Sequence, residues 1–267
     1  MKHLLLFTST IIILSVATGC TLTDKSSIPA SYKGKAKKIY NLGMKRLKSK
    51  DYEDARNIFR KLRKAHPMSM YATLSELRTA DCHRKEGNFA TAASLYHDFM
   101  KDHPYHEAVR SGYTTWQIGY CQYRLGPGDF FIFPPSYEKD LGHTQSAYKI
   151  FKIFERRYPS SVYIPKVKRY HKKALKKLVA HELYVADYYQ KKSKPKAVKG
   201  RLEYILTNYP ESPEIFNSGM RLVNIYIESG EKKRAKQLLS SLIKKYPRDK
   251  LVSDARKLLG KISMEVK

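Results

Sequence analysis

Amphipathic stretches of helical period, divided by short breaks, run along most of this chain. Five dipeptides mark the breaks: His66-Pro67, His103-Pro104, Tyr158-Pro159, Tyr209-Pro210 and Tyr246-Pro247. Their prolines lie 37, 55, 51 and 37 residues apart. Each follows apolar residues recurring every three or four positions, where a proline ends a helix by removing an amide donor. Counted back from each proline, the same residue sizes return. A small residue stands twelve before, a large apolar one eight before and another apolar one five before. The sets are Ala55, Phe59, Leu62; Ala92, Tyr96, Phe99; Ala147, Phe151, Phe154; Val198, Leu202, Ile205; and Ala235, Leu239, Leu242. Twenty-four before stand Gly43, Ala80, Ala186 and Val223, with turns at Gly87-Asn88 and Gly230. Small residues let the two helices of a hairpin approach closely, and the large one fills the gap to the next hairpin.

This pattern is that of tetratricopeptide-like hairpins. It predicts an all-α, right-handed solenoid of about five hairpins over residues 35–267, with repeats ending near Pro67, Pro104, Pro159, Pro210 and Pro247. Two intervals are long. Before Pro159 the first helix must lie near Ser111 to Leu125, with Trp116, Gly119, Tyr120 and Tyr123 as its packing side. The insertion that follows, GPGDFFIFPPSYEKDLG over 126–142, has too many glycines and prolines for regular helix. Its Phe130, Phe131 and Phe133 either tuck back onto the solenoid or meet a partner. Before Pro210 the extra length reads as one helix from Pro165 to about Gln190, with Val167, Tyr170, Ala174, Leu175 and Leu178 as an apolar stripe. Lys166, Lys168, Arg169, Lys172, Lys173, Lys176 and Lys177 occupy the rest, as a solvated face or as a surface for membrane or an acidic partner.

The N-terminus changes the picture. Lys2 and His3 precede an apolar run too short to span a bilayer, and Ala17-Thr18-Gly19 leads into Cys20. This resembles a bacterial lipobox. Residues 1–19 are then a signal peptide, Cys20 the lipid attachment site and 20–34 a flexible tether. The acyl chains would hold the protein firmly. Thr21 follows, rather than an inner-membrane aspartate, which points to the outer membrane. The 52 Lys and Arg against 24 Asp and Glu give a formal net charge of +28. In an exported chain this points away from nucleic acid, toward anionic lipid, wall polymer or an acidic protein surface, or simply toward solubility. Cys82 and Cys121 fall on first helices of neighbouring repeats. These usually stand about 10 Å apart, beyond disulfide reach, which favours two buried thiols.

The sequence carries no GxSxG, HExxH, glycine-rich phosphate loop or spaced cysteine cluster, so neither catalysis nor a cofactor is expected. His103 and His106 straddle Pro104 without a further ligand nearby, and no metal site is expected. His83, His97, His171 and His181 read as packing or surface residues. Glu53-Asp54 reads as an exposed pair complementing a helix dipole.

Lipobox, tether, five hairpins, aromatic insertion and long helix together resemble the BamD (ComL/YfiO) family. The closest local match is VADYYQKKSKPKAVKGRLEYILTNYPES, Val185 to Ser212. The Phe130-Phe131 pair and the following YEKD also sit where that family has its long loop. The resemblance implies a non-enzymatic periplasmic scaffold of outer-membrane β-barrel assembly. Arg201, with Tyr188 and Tyr189, would meet acidic residues on the periplasmic domain of the barrel-forming partner. A groove between hairpins 35–67 and 71–104 would meet unfolded outer-membrane proteins, although AHP at Ala65 to Pro67 departs from the family's RYP. Other assembly lipoproteins are further candidate partners. The alternative is a repeat lipoprotein of a cell-wall, cell-division or secretion complex.

Overall fold

A computed structural model describes residues 36–128 and 135–265. The expected signal peptide, lipid site Cys20 and tether, with Phe130, Phe131 and Phe133, lie outside the described residues. The described chain is helical, without strands. Five hairpins follow in order: α1 (Ala36–Lys48) with α2 (Tyr52–Ala65); α3 (Met70–Glu86) with α4 (Phe89–Asp102); α6 (Tyr113–Leu125) with α7 (Gly142–Arg157); α8 (Ile164–Lys191) with α9 (Pro195–Asn208); and α10 (Ile215–Glu228) with α11 (Lys232–Lys245). A short α5 (Glu107–Arg110) leads into the third hairpin, and α12 (Val252–Glu265) closes the stack. Each helix packs mainly on its neighbours in sequence, so the core is a row of linked clusters.

Every residue of the five counted-back sets is buried, as are Gly43, Ala80, Ala186 and Val223. The small residues work as expected. A Cβ on Gly43 would stand 2.5 Å from the Phe59 ring, and one on Gly119 would stand 2.5 Å from Phe151. Gly119 is thus the close-approach residue of the third hairpin, where the insertion hides the spacing.

The five X-Pro joints share one geometry. His66, His103, Tyr158, Tyr209 and Tyr246 have φ between −139° and −126° and ψ between 49° and 59°. A following proline excludes the α region, so the helix stops there. Two residues beyond each proline stands a capping side chain: Ser69, His106, Ser161, Ser212 and Asp249. Each accepts from a backbone N–H two or three residues on, at 2.9 to 3.3 Å. One short motif therefore both stops a helix and sets the start of the next.

The long helix α8 has the expected extent. Val167, Ala174, Leu175 and Leu178 are buried. Tyr170 lies 5.1 to 5.5 Å, between ring centres, from Trp116, Tyr120 and Tyr123. The aromatic side of α6 is therefore closed by the N-terminal half of α8. The flanks of the insertion are fastened to the same helix. Lys177 Nζ donates to the Pro127 carbonyl at 2.7 Å, and His181 Nδ1 lies 2.6 Å from the Tyr137 carbonyl. Tyr137 stacks on Tyr184 at 5.6 Å, and Ser136 and Leu141 are buried.

One expectation is corrected. Asp54 is not exposed: it is buried, 3.1 Å from Arg46 Nε, because the hairpin turn sets the end of α1 beside the start of α2. Glu53 alone keeps the role of a surface charge near the dipole.

Cys82 and Cys121 are free and buried. Burial pushes both thiols up to about 12 from an ordinary 9.0, against the opposing pull of Arg56 on Cys82 and Arg84 on Cys121. Burial also raises the phenols of Tyr96, Tyr113, Tyr148 and Tyr209. These groups hold their protons more tightly when folded. Their stabilisation is complete below the unfolded thiol pKa near 9 and is lost as pH rises toward 12. Melting at pH 10.5 is expected to fall about 5 °C or more below that at pH 8. A flat profile would contradict this. At pH 8 both cysteines should resist iodoacetamide in the folded chain and react in denaturant, as read by mass spectrometry.

Candidate partner-docking surface

The α8–α9 hairpin brings the predicted docking residues into view. Val198, Leu202 and Ile205 turn α9 onto the core, which leaves Arg201 at the edge of the contact with α8. Its Nη1 lies 3.2 Å from Glu182 Oε2. The Arg201 side chain is 42% exposed, while that of Glu182 is 10% exposed. A nearly buried carboxylate thus holds one edge of the guanidinium, and the rest faces solvent. Among the described residues, Glu182 is the only hydrogen-bonding partner of Arg201. An incoming carboxylate can take the free donors without displacing Glu182, because the fork carries five N–H groups.

The tyrosine pair divides. Tyr189 packs against the C-terminal core, whereas Tyr188 is 52% exposed. Their rings lie 5.6 Å apart, edge to face, and Lys192 Nζ stands 5.9 Å from the Tyr188 centroid. The antiparallel register that pairs Glu182 with Arg201 sets Tyr188 opposite residue 195 or so. It therefore stands about 9 Å along the hairpin from the arginine, at 1.5 Å per residue. The two features form the ends of one strip and do not touch.

Between the α8–α9 turn and α10 is a cleft of about 300 Å3 whose lining includes Gln190, Ser193, Lys194, Pro195, Arg221 and Glu228. Arg221 crosses it, with Nη2 2.6 Å from Asp187 Oδ1 and 2.9 Å from Gln190 Oε1. Ser193 supports the turn with a φ of 52°, left-handed and uncommon for serine. Arg221 and Asp187 give nothing away in sequence, since their meeting depends on how α10 packs on the α8–α9 hairpin.

At the other end, hairpins 36–65 and 70–102 are packed together rather than parted by an apolar groove. Tyr40 lies 5.5 Å from Tyr71, and Arg63 pairs with Glu76 at 3.1 Å. A cleft of about 380 Å3 there is polar and basic, lined by Arg60, Arg63, Lys64, Pro67, Ala72 and Glu76. Met68 and Met70, between the two hairpins in sequence, stand exposed.

The histidines are structural in their contacts. His103 Nε2 lies 2.8 Å from Glu76, His171 Nδ1 lies 2.9 Å from Glu155, and His106 caps α5. Among the described residues no His, Cys, Asp and Glu group gathers as metal ligands, and no helix is long and apolar enough to cross a membrane.

Sequence reasoning missed a buried polar hub. Asp81 is 3% exposed. Its Oδ1 accepts from the hydroxyls of Tyr96 and Tyr113, both at 2.5 Å, and its Oδ2 from Arg78 Nη1 at 2.6 Å. Arg78 Nε continues to the Tyr40 hydroxyl at 3.2 Å. The network spans α1, α3, α4 and α6. The one signal available was an aspartate directly after the close-packing Ala80.

Among known proteins the chain is similar to the outer membrane protein assembly factor BamD of Caulobacter vibrioides, 20% identical over 94% of this chain and 79% of that protein. It is also similar to BamD of Neisseria meningitidis serogroup B, 24% identical over 97% of this chain and 90% of that protein. Among solved structures it resembles the TPR2AB domain of yeast Sti1, with a TM-score of 0.40 and 14% identity over 85% of this chain and 98% of that one. With residues 32–239 matching the family model described as outer membrane lipoprotein, this chain belongs to the YfiO family.

Proposed function

We propose that this protein is a non-enzymatic periplasmic scaffold in the assembly of outer-membrane β-barrel proteins. It is held at the outer membrane by lipid on Cys20 and docks through the α8–α9 strip on the periplasmic domain of the barrel-forming partner. The observation that carries the docking site is the half-exposed Arg201, braced by the nearly buried Glu182. A guanidinium oriented before contact loses little entropy on binding a carboxylate, and Tyr188 adds an exposed ring on the same hairpin. Unfolded outer-membrane proteins and other assembly lipoproteins are further partners in this reading. The BamD relatives and the order of hairpins support it.

The test is crosslinking and capture from membranes of the native organism. Wild-type protein should recover a large outer-membrane β-barrel protein. Arg201→Lys keeps the charge facing Glu182 but loses the fork, and should reduce recovery about tenfold with little change in melting temperature. Recovery of wall or secretion proteins instead, indifferent to this substitution, would overturn the proposal.

A further inference from the structure

The long helix α8 opens on a run of positive charge. Its first eighteen residues carry seven Lys and Arg and no carboxylate; Glu182 is the first acid. At 100° per residue, Lys166, Lys168, Arg169, Lys172, Lys173 and Lys176 cover the half turned away from the buried Val167, Ala174 and Leu178, and all six are exposed. Among the described residues Lys166, Lys168, Lys172 and Lys176 pair with no carboxylate, while Arg169 and Lys173 lie 5.2 and 5.4 Å from the Tyr170 ring centre. This arrangement works against the helix. Lys168–Lys172, Lys172–Lys176 and Arg169–Lys173 are like charges at i,i+4, and the first turn sets Lys166 against the dipole with no acid to compensate. An anion on this face would relieve both.

A second feature adjoins it. An apolar cleft of about 280 Å3 opens between α8 and the α9–α10 loop. Leu175, Val179, Leu183 and Pro213 line it, and Lys172 and Lys176 stand over one wall with Ser212 and Glu214 on the other. Cations beside an apolar slot match an anionic amphiphile.

We propose that this face docks on anionic phospholipid of the membrane to which the lipoprotein is anchored. The lipid phosphates lie along Lys168, Lys172 and Lys176, and the first acyl carbons enter the cleft. The residue types favour lipid over an acidic protein. Five of the six exposed cations are lysines, which act as hydrated point charges and suit a diffuse anionic surface. Arginine forks would suit a fixed carboxylate. The row has no exposed aromatic or arginine cluster of the kind that anchors a protein interface. Bound in this way, α8 would orient the whole solenoid on the bilayer, which a flexible tether alone does not do.

The full-length, lipid-modified protein is placed in vesicles of phosphatidylcholine alone and in vesicles with about 30 mol% phosphatidylglycerol, a strongly anionic surface. Surface amines are acetylated with a water-soluble reagent and read by mass spectrometry. Lys166, Lys168, Lys172, Lys173 and Lys176 should react about fivefold or more slowly in the anionic vesicles, and about 0.5 M salt should erase the difference. The exposed Lys64 and Lys101 serve as references and should be unchanged. A triple variant, Lys168→Glu, Lys172→Glu and Lys176→Glu, should melt no lower than wild type and lose the protection of Lys166 and Lys173. Equal rates in both vesicles would overturn the proposal. So would protection seen only in native envelopes, which would assign the face to an acidic protein. The vesicles contain no barrel protein, so either failure leaves the scaffold reading standing.

Discussion

Asp81→Ala is expected to cost about 3–5 kcal/mol, the range for stripping a buried charge of its partner. It removes the acceptor for three groups at once. Arg78, only 27% exposed, loses the carboxylate at 2.6 Å, and the hydroxyls of Tyr96 and Tyr113 lose their shared oxygen. Burial alone works against charge on Arg78, and Asp81 with Tyr40 overcomes it, holding the guanidinium above its usual pKa. For a chain of this size the melting temperature should fall by about 10 °C. Tyr113→Phe removes one hydrogen bond and should cost about 1 kcal/mol. Asp81→Asn, which keeps the acceptor and loses the charge, should fall between. Denaturant unfolding of the three variants decides the matter. A loss under about 1 kcal/mol in Asp81→Ala would show that the hub does not hold the first three hairpins together.

Gly119→Val should destabilise by about 3 kcal/mol. The Cβ would stand 2.5 Å from Phe151 Cε1 and 3.1 Å from Ile150 Cγ2. Phe151 is fully buried with its ring centre 6.0 Å from that of Trp116, so it has no room to yield. Even Gly119→Ala should destabilise, although glycine to alanine within a helix ordinarily gains about 1 kcal/mol. Gly200→Ala in α9 and Gly260→Ala in α12 provide the contrast, because nothing lies within 4 Å of either added carbon. Both should stabilise by about 0.5–1 kcal/mol. Chemical denaturation of the three alanine variants reads the sign directly. If Gly119→Ala also gained stability, the close approach of α6 and α7 would not be a constraint.

The hairpin order, the packing positions and the length of α8 were legible because each depends on local spacing. A helix brings residues three, four, seven and eight apart onto one face, so Ala92, Tyr96 and Phe99 must point together whatever surrounds them. A proline ends a helix wherever it stands in such a run. The repeated capping residue two beyond each proline was equally local, and five aligned joints would have revealed it. Arg201, Tyr188 and Tyr189 were found through a resemblance, and spacing alone singles out none of them.

Tertiary structure decided the rest, because those features join side chains on different helices. Asp81 reads as an ordinary polar residue of a helix until Tyr96 and Tyr113 arrive from α4 and α6. Glu182 and Arg201 are 19 residues apart, and only the α8–α9 register makes one the brace of the other. Asp54 belongs on the surface by composition, and the close return of α2 along α1 buries it against Arg46. The lysines of α8 were visible from the start. That Lys166, Lys168, Lys172 and Lys176 pair with no carboxylate and share one face beside an apolar cleft follows from which side of the helix the core takes. Local periodicity determined the repeat architecture of this protein. The contacts between helices determined its charged and polar features, because a side chain's electrostatic partners depend on distance in space and not along the chain.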